Sequence, residues 1–484
     1  MGGWVEYGLQ LLLPVVLVRY LSPTAFGEYR AVWLLAATVL AIAPFYLPQS
    51  LMYFLPRASA DTAPKYITAA VLSLAASATV VAVMFSTLPM ERLPGAAGVA
   101  GRHSLLVASF LGLWVLASLT DVLALAQSRA RAQALIVISL AVLRAVLVGG
   151  GAFLFGDLQV VLGALCVLAL LKCAVIPFLV QSSSTGVRWH TDLPTVRSQW
   201  RYVTPFALGN ALFLLRGQAD QWVVAGRFPA DVFAVFSIAT VAVSLSNLIR
   251  QPALNAYLPT ISRLLGEGRR KEAVRLVSTS YSTVAVALLP FIGLLLVLIP
   301  DAVELIYTRE YAAAAPIMQI YTLGQLVGFF AAGHLLPILG CGRTATAISA
   351  AGLILSVLLG TVGAVAFGPI GAAAGSISSL LLGELWALRT TVRKLETRVG
   401  DLLDLRLGLR LLVVVIVAAG TTFLVLGWLP AGSPVGGRLV GGGLLYLAVG
   451  GVVAALLGLK PVVLRLLSGS LASGAGASVK APLQ

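Results

Sequence analysis

The chain has 484 residues, 59% of them hydrophobic and only 11% charged. Soluble domains carry about 25% charged residues, so a soluble globular enzyme is excluded, as is a disordered chain, which needs low hydrophobicity. The net charge of +15, from 33 Lys and Arg against 18 Asp and Glu, would point to nucleic acid in a soluble protein; in a membrane protein it reads first as basic cytoplasmic loops.

A spanning helix needs about 20 mostly apolar residues. Apolar runs bounded by charge and by Pro or Gly predict fourteen of them. The first six lie at about 4–21, 29–48, 66–88, 104–127, 134–155 and 158–181. The next six lie at about 202–225, 231–256, 277–299, 316–339, 345–367 and 370–391, and the last two at about 410–429 and 437–458. The run from Trp4 to Leu21 has no basic start and no small-residue cleavage site, so it is expected to be a permanent helix rather than a signal peptide.

Charge tests this layout. With the N-terminus inside, the cytoplasmic connections and C-terminal tail carry 22 of the 33 Lys and Arg, the opposite side carries 7, and 4 lie within helices. That asymmetry supports a multi-pass protein of the cytoplasmic membrane with both termini cytoplasmic. Two cytoplasmic linkers, Arg263–Arg275 and Arg389–Arg410, hold half of those 22 basic residues. Each is predicted to include a short amphipathic helix drawn to anionic lipid headgroups, with regulatory protein binding as the alternative. The longest external connection, Pro89–His103, is short for the catalytic loop of a membrane glycosyltransferase or polymerase.

The chain echoes itself. Arg19-Tyr20-Leu21-Ser22-Pro23-Thr24-Ala25-Phe26-Gly27-Glu28-Tyr29 joins the first two helices, and Arg227-Phe228-Pro229-Ala230-Asp231-Val232-Phe233-Ala234-Val235-Phe236 joins the seventh and eighth. Both are short turns with a proline followed by spaced aromatics, and both following helices end at Leu-Pro (Leu55-Pro56, Leu258-Pro259). Repeated helix bundles are a common construction of secondary transporters.

The first of these turns resembles the signature turn of the polysaccharide-transport branch of the MOP exporter superfamily, which includes O-antigen and exopolysaccharide flippases. Later stretches agree in order: Asp220 in the seventh helix, Leu258-Pro259-Thr260-Ile261-Ser262, Ile306-Tyr307 to Tyr311-Ala312, Leu339-Gly340-Cys341-Gly342-Arg343, and Phe367-Gly368-Pro369-Ile370-Gly371-Ala372-Ala373. The resemblance runs to about residue 395. It implies an all-α polytopic fold: a six-helix bundle over 1–185, a cytoplasmic linker 186–201, and a second six-helix bundle over 202–395. A linker 396–409, two additional transmembrane helices within 410–465 and a cytoplasmic tail 466–484 complete it. It further implies a central cavity, alternating access and a polyprenyl-pyrophosphate-linked oligosaccharide as cargo. Membrane lipids, a polysaccharide polymerase and glycosyltransferases are the expected partners, with no nucleic acid.

Charges inside membrane helices are expensive and usually face a cavity or a partner. Arg144, Arg216, Arg250 and Lys172 are the four basic residues within helices, and the first three occupy three separate helices. Their expected role is a cationic lining for a diphosphate, which suits the planar fork of arginine; Lys172 has snorkelling to the interface as an equal alternative. Arg216 and Asp220 are four apart and are expected to meet on one helix face, either to bind and release the diphosphate or as a self-neutralising pair. Asp121 and Glu384 are candidates for H+ or Na+ coupling, or for pairing with Lys172 or Arg250. No cofactor is expected. The three cysteines, Cys166, Cys173 and Cys341, form no disulfide or zinc pattern, and no ATPase or nucleophile motif occurs.

The leading functional expectation is therefore a non-enzymatic flippase for lipid-linked oligosaccharide. The alternatives within transport are a flippase for lipid-linked peptidoglycan precursor or an ion-coupled drug exporter, which would want acidic walls. From another class come a non-transporting scaffold and a membrane glycosyltransferase of polysaccharide assembly.

Overall fold

The computed structural model describes residues 2–59, 61–87, 102–181, 190–430 and 433–459. The greater part of the predicted external connection Pro89–His103, part of the linker 186–201, and the tail 466–484 lie outside the described residues.

Every regular element among the described residues is helical. In chain order the helices of eight residues or more are α1 (Gly2–Tyr20), α2 (Pro23–Ile42), α3 (Leu47–Phe54), α4 (Ala63–Thr87), α5 (Ser104–Ala117), α6 (Ala130–Arg144), α7 (Leu158–Gln181) and α8 (Leu193–Arg216). They continue with α9 (Ala219–Arg227), α10 (Ala230–Ala239), α11 (Val241–Gly266), α12 (Arg270–Tyr307), α13 (Ala314–Gly324), α14 (Gly342–Leu395), α15 (Leu405–Trp428) and α16 (Val435–Leu456). Eleven helical segments among the described residues are long and apolar enough to cross a membrane, which makes this a multi-pass membrane protein.

Among the described residues the eleven differ from the fourteen predicted spans at three places: the first, of which Leu11–Tyr20 stands as a shorter apolar helix, the seventh, and the joined eleventh and twelfth. The eleventh and twelfth predicted spans form one 54-residue helical element, α14, folded back at Phe367 and Gly368, where φ/ψ leave the helical region. The seventh predicted span starts earlier, at Leu193, breaks at Gly217–Gln218, and is too polar to qualify. A short helix, α3, follows the left-handed residues Phe45 and Tyr46, where the sequence reading had no separate element. The two basic linkers also differ from expectation. Around Arg263–Arg275, α11 and α12 simply run out into the linker and meet at a three-residue turn; between α14 and α15 there is only one four-residue turn of helix, Val399–Leu402. Charged residues there extend spanning helices instead of forming separate surface helices.

The chain divides into two compact units, Met1–Ser237 and Ile238–Gln484. In the first, α2 starts at Ser22, whose hydroxyl accepts from the Ala25 amide, with Pro23 in the first turn, where its missing N–H is not needed. The two echoing turns touch. A Cβ on Gly27 would run into the Ala230 carbonyl, and Arg30 donates to the Ser237 carbonyl at 3.4 Å. Glu28, buried in the same turn, pairs with Arg102. Helix α8 starts at Asp192, which caps the Thr195 amide at 2.9 Å and holds Lys65 at 2.7 Å. Those bonds, the Lys65 one foremost, keep the Asp192 carboxyl well below the usual carboxylate range.

In the second unit Val277, Tyr281, Val284, Leu288 and Ile292 repeat every three or four residues on α12 and form a buried stripe. The C-terminal pair packs on the same helix: Tyr446 donates to the Pro290 carbonyl at 2.9 Å, and Arg438 reaches the buried Asp301 at 3.2 Å. The two arms of α14 are fastened by small residues. Gly363 and Gly371 present backbone to backbone, and Ser379 donates to the Gly352 carbonyl at 2.7 Å. Such small-residue contacts let membrane helices approach closely. A methyl group at position 371 would meet the Gly363 carbonyl. Gly371→Ala is therefore expected to destabilise the protein by ~1–3 kcal/mol, seen as a lower melting temperature in detergent, whereas Gly436→Ala, in open space, leaves it unchanged. Equal melting of both variants contradicts the close packing.

Candidate functional site

The first unit encloses a polar chamber of about 220 Å³ in its helix bundle. Its walls combine two indoles, Trp33 from α2 and Trp114 from α5, with Leu168 and the charged groups Asp121, Arg144 and Lys172. The two indoles meet edge to face, centroids 5.5 Å apart. The Arg144 guanidinium lies over the Trp33 ring at 4.3 Å, and the Lys172 ammonium over Trp114 at 4.6 Å. A desolvated cation over an indole face is held by the ring quadrupole.

The two cations differ in what neutralises them. Lys172, only 8% exposed, donates to both Asp121 oxygens, at 2.8 and 3.1 Å. Arg144 makes no ion pair among the described residues, and its buried Nε has no hydrogen-bond partner. The chamber's uncompensated positive charge is thus Arg144.

Local breaks in helix geometry place these groups. A π turn, Ala145–Gly149, follows Arg144 directly; such single π turns are frequent at functional sites. The fourth predicted span tightens into a 3₁₀ turn over Ser118–Asp121. Thr120 donates its hydroxyl to the Lys172 carbonyl at 2.9 Å, and Gln133 donates to the Thr120 carbonyl at 3.2 Å. Those bonds tie α6, α7 and the 3₁₀ turn together around the Lys172–Asp121 pair.

Arg216 and Asp220 stand on opposite sides of the Gly217–Gln218 turn rather than on one continuous helix. Asp220 is 4% exposed and accepts from the Gln221 amide at 2.8 Å. The turn is anchored to α2 by Thr38, which donates to Gln218 Oε1 at 2.8 Å and accepts from Trp222 Nε1 at 2.8 Å.

The second unit carries a separate polar cluster. Arg250 donates to Asn247 Oδ1 at 2.6 Å and lies against Gly328. Glu384 is within electrostatic reach of Arg250 but forms no ion pair with it; its carboxylate accepts from the Gly333 amide at 3.2 Å. That amide is exposed by the 3₁₀ turns Gln325–Phe330 and Ala332–Leu335, which interrupt the tenth predicted span. Arg144, Lys172 and Asp121 therefore meet in one chamber, and Arg250 and Glu384 share a second locality.

No protein-family model matches the chain, and no curated protein matches it either. Solved structures do. The lipid II flippase MurJ, in an inward closed conformation, superposes with a TM-score of 0.73 at 13% identity, covering 94% of this chain and 98% of MurJ. An inward-facing multidrug resistance MATE family transporter of the MOP superfamily gives 0.60 at 14% identity, over 80% and 95%. A mutant of the Vibrio cholerae MATE transporter VcmN gives 0.52 at 14%, over 83% and 99%. The chain shares the fold of these transporters.

Sequence reasoning overlooked the two indoles. Trp114 lies in the middle of its predicted span, whereas membrane tryptophans are enriched at the interfaces, so its depth was a usable signal; Trp33, near the start of the predicted span 29–48, is mid-helix only in the observed α2. It also overlooked Gln133 and Thr38, whose polar side chains answer groups that only the folded chain brings near, and Asn247, whose i+3 spacing to Arg250 on one helix was a usable signal. Removing the partner of a fully buried charge costs ~3–5 kcal/mol. Because the Asp121 side chain is 54% exposed, screening reduces this, and Asp121→Ala is expected to cost ~1–3 kcal/mol. The double variant Asp121→Ala/Lys172→Met should recover most of the loss in thermal unfolding. An unchanged melting temperature for Asp121→Ala would show that the pair does not hold the chamber.

Proposed function

We propose that this chain is a transporter that flips a polyprenyl-pyrophosphate-linked oligosaccharide across the cytoplasmic membrane for surface polysaccharide assembly. The observation that carries the reading is the uncompensated Arg144 guanidinium, with its unsatisfied Nε, in an indole-walled chamber. An arginine with free donors in a desolvated site favours a phosphate group. A chamber of about 220 Å³ is below the roughly 300–1,000 Å³ of a drug-sized pocket, so it suits a diphosphate and not the whole cargo. Shared fold with MurJ supports a lipid-linked cargo; the cationic chamber speaks against a cationic drug.

In this reading the cargo moves by alternating access, with both termini cytoplasmic. Arg216, and Arg250 in the second unit's own polar cluster, are further cationic contacts for the cargo, and Asp121, Asp220 and Glu384 are the carboxylates through which H+ or Na+ would couple. The partners are membrane lipids and the glycosyltransferases and polymerase of the same assembly.

A second reading, lipid-linked peptidoglycan precursor as cargo, is favoured by the better superposition on MurJ than on the MATE transporters. Both cargoes carry the same diphosphate, so the saccharide separates them. In proteoliposomes, Arg144→Ala is expected to slow flipping ten- to a hundredfold, the size of about 1.5–3 kcal/mol for a charged hydrogen bond, with Arg144→Lys intermediate. A wild-type rate in Arg144→Ala removes the cationic-site mechanism. Transport of peptidoglycan precursor but not of oligosaccharide carriers would decide for the second reading.

A further inference from the structure

The second arm of α14, beyond the fold-back at Phe367–Gly368, carries a pocket of about 470 Å³ lined by Leu385, Trp386, Arg389, Thr390 and Arg393. All five belong to this one helix, and none is acidic. Arg389 and Arg393 are exposed, stand one turn apart on the same face, and form no ion pair among the described residues. The two carboxylates between residues 380 and 400 are engaged elsewhere: Glu384 accepts from the Gly333 amide, and Glu396 bonds Arg270. The Thr390 hydroxyl donates to the Trp386 carbonyl at 3.0 Å. Like charges four apart on a helix repel, so an anion held between the two guanidinia would relieve the pair.

The apolar surroundings identify what carries that anion. Leu381, Leu382, Leu385 and Trp386 are exposed on the same face, and an exposed apolar stripe on a spanning helix faces lipid. The arginines continue that stripe directly. Two rulers give their depth. The apolar sequence of the arm runs to Leu388, so at 1.5 Å per residue Arg389 stands about 1.5 Å and Arg393 about 7.5 Å beyond it. On α12 the apolar run starts at Val284, after the polar stretch 278–283. Val274 of α12 lies level with Leu395 of α14, across one groove, which puts the same boundary near Leu385 and Arg389 about 6 Å outside it. The headgroup layer is about 5–8 Å thick, so both rulers place Arg389 within it. Arg393 lies at its outer edge or just beyond, and side chains on a helix lean toward its N-terminus, here back toward the membrane. Trp386 marks the boundary itself, where membrane tryptophans concentrate.

We propose that this face of α14 binds an anionic phospholipid, with Arg389 and Arg393 on the headgroup phosphate and the acyl chains along Leu381, Leu382 and Leu385. A zwitterionic headgroup would bring its own ammonium to the same two cations, so a net negative lipid is preferred. The site is independent of the cargo chamber and of the flippase reading.

The test uses the purified full chain in phosphatidylcholine nanodiscs containing a minor fraction of acyl-brominated phosphatidylglycerol, since bromine quenches indole fluorescence on contact. The signal of Trp386 is the difference between wild type and Trp386→Phe. Its quenching is expected at fractions where brominated phosphatidylcholine has no effect. Arg389→Gln and Arg393→Gln should each raise the fraction needed about fivefold. Arg410→Gln, an exposed arginine that likewise adjoins an apolar run but lies on α15 outside this pocket, should leave it unchanged. The melting temperature of each variant checks that the fold persists. Four results overturn the proposal: equal quenching by both brominated lipids, wild-type quenching in the double arginine variant, an equal loss with Arg410→Gln, or relief of quenching by millimolar inorganic phosphate, which would make this a site for a soluble anion. Flipping is not measured, so either proposal can fail alone.

Discussion

A helix in hydrocarbon must satisfy every amide and carbonyl it frees, because no water is there to do so. This protein interrupts its spans repeatedly, and at three of the interruptions a side chain from another helix bonds the turn. Gln133 donates to the Thr120 carbonyl within the 3₁₀ turn Ser118–Asp121, Thr38 bonds the Gln218 side chain at the second break, and Glu384 takes the amide of Gly333. The polar residues within the spans are therefore of two kinds. Some repair the backbone, and others are left for a ligand.

That division changes how the buried charges read. From sequence, Lys172, Asp121 and Glu384 look alike: ionisable groups in apolar segments. In the fold Lys172 and Asp121 neutralise each other, and Glu384 serves a broken helix as an acceptor. Arg144 has an aromatic face in place of a counter-charge. In a low-dielectric setting an aromatic face lowers the cost of burying a cation without neutralising it, which leaves the charge available to an incoming anion.

Much of the architecture was legible because its physics is one-dimensional. Lipid demands apolar runs of fixed length, so the helical class and most spans could be placed from residue order. The signature turn around Gly27 was visible as a pattern, although its reason, contact with the backbone of Ala230, was not. What the sequence could not display were departures from the 3.6-residue period: the fold-back at Phe367–Gly368, the break at Gly217–Gln218 and the short helix after Tyr46. These are set by contacts between distant segments. The chamber was half legible. Arg144 and Lys172 announced themselves as charges in the wrong medium, whereas Trp33 and Trp114 passed as ordinary apolar residues.

The π turn after Arg144 has a consequence for the whole fifth span. Successive residues of an α-helix are displaced by about 100° around the axis, so widening one turn advances the angular phase of everything beyond it. The half of the span containing Arg144 can then aim a cation at Trp33 while the half beyond it, with Val148 and Ala152 buried, keeps its own apolar stripe turned inward. The widened turn acts as a phase shifter, letting one helix serve two neighbours whose faces do not line up.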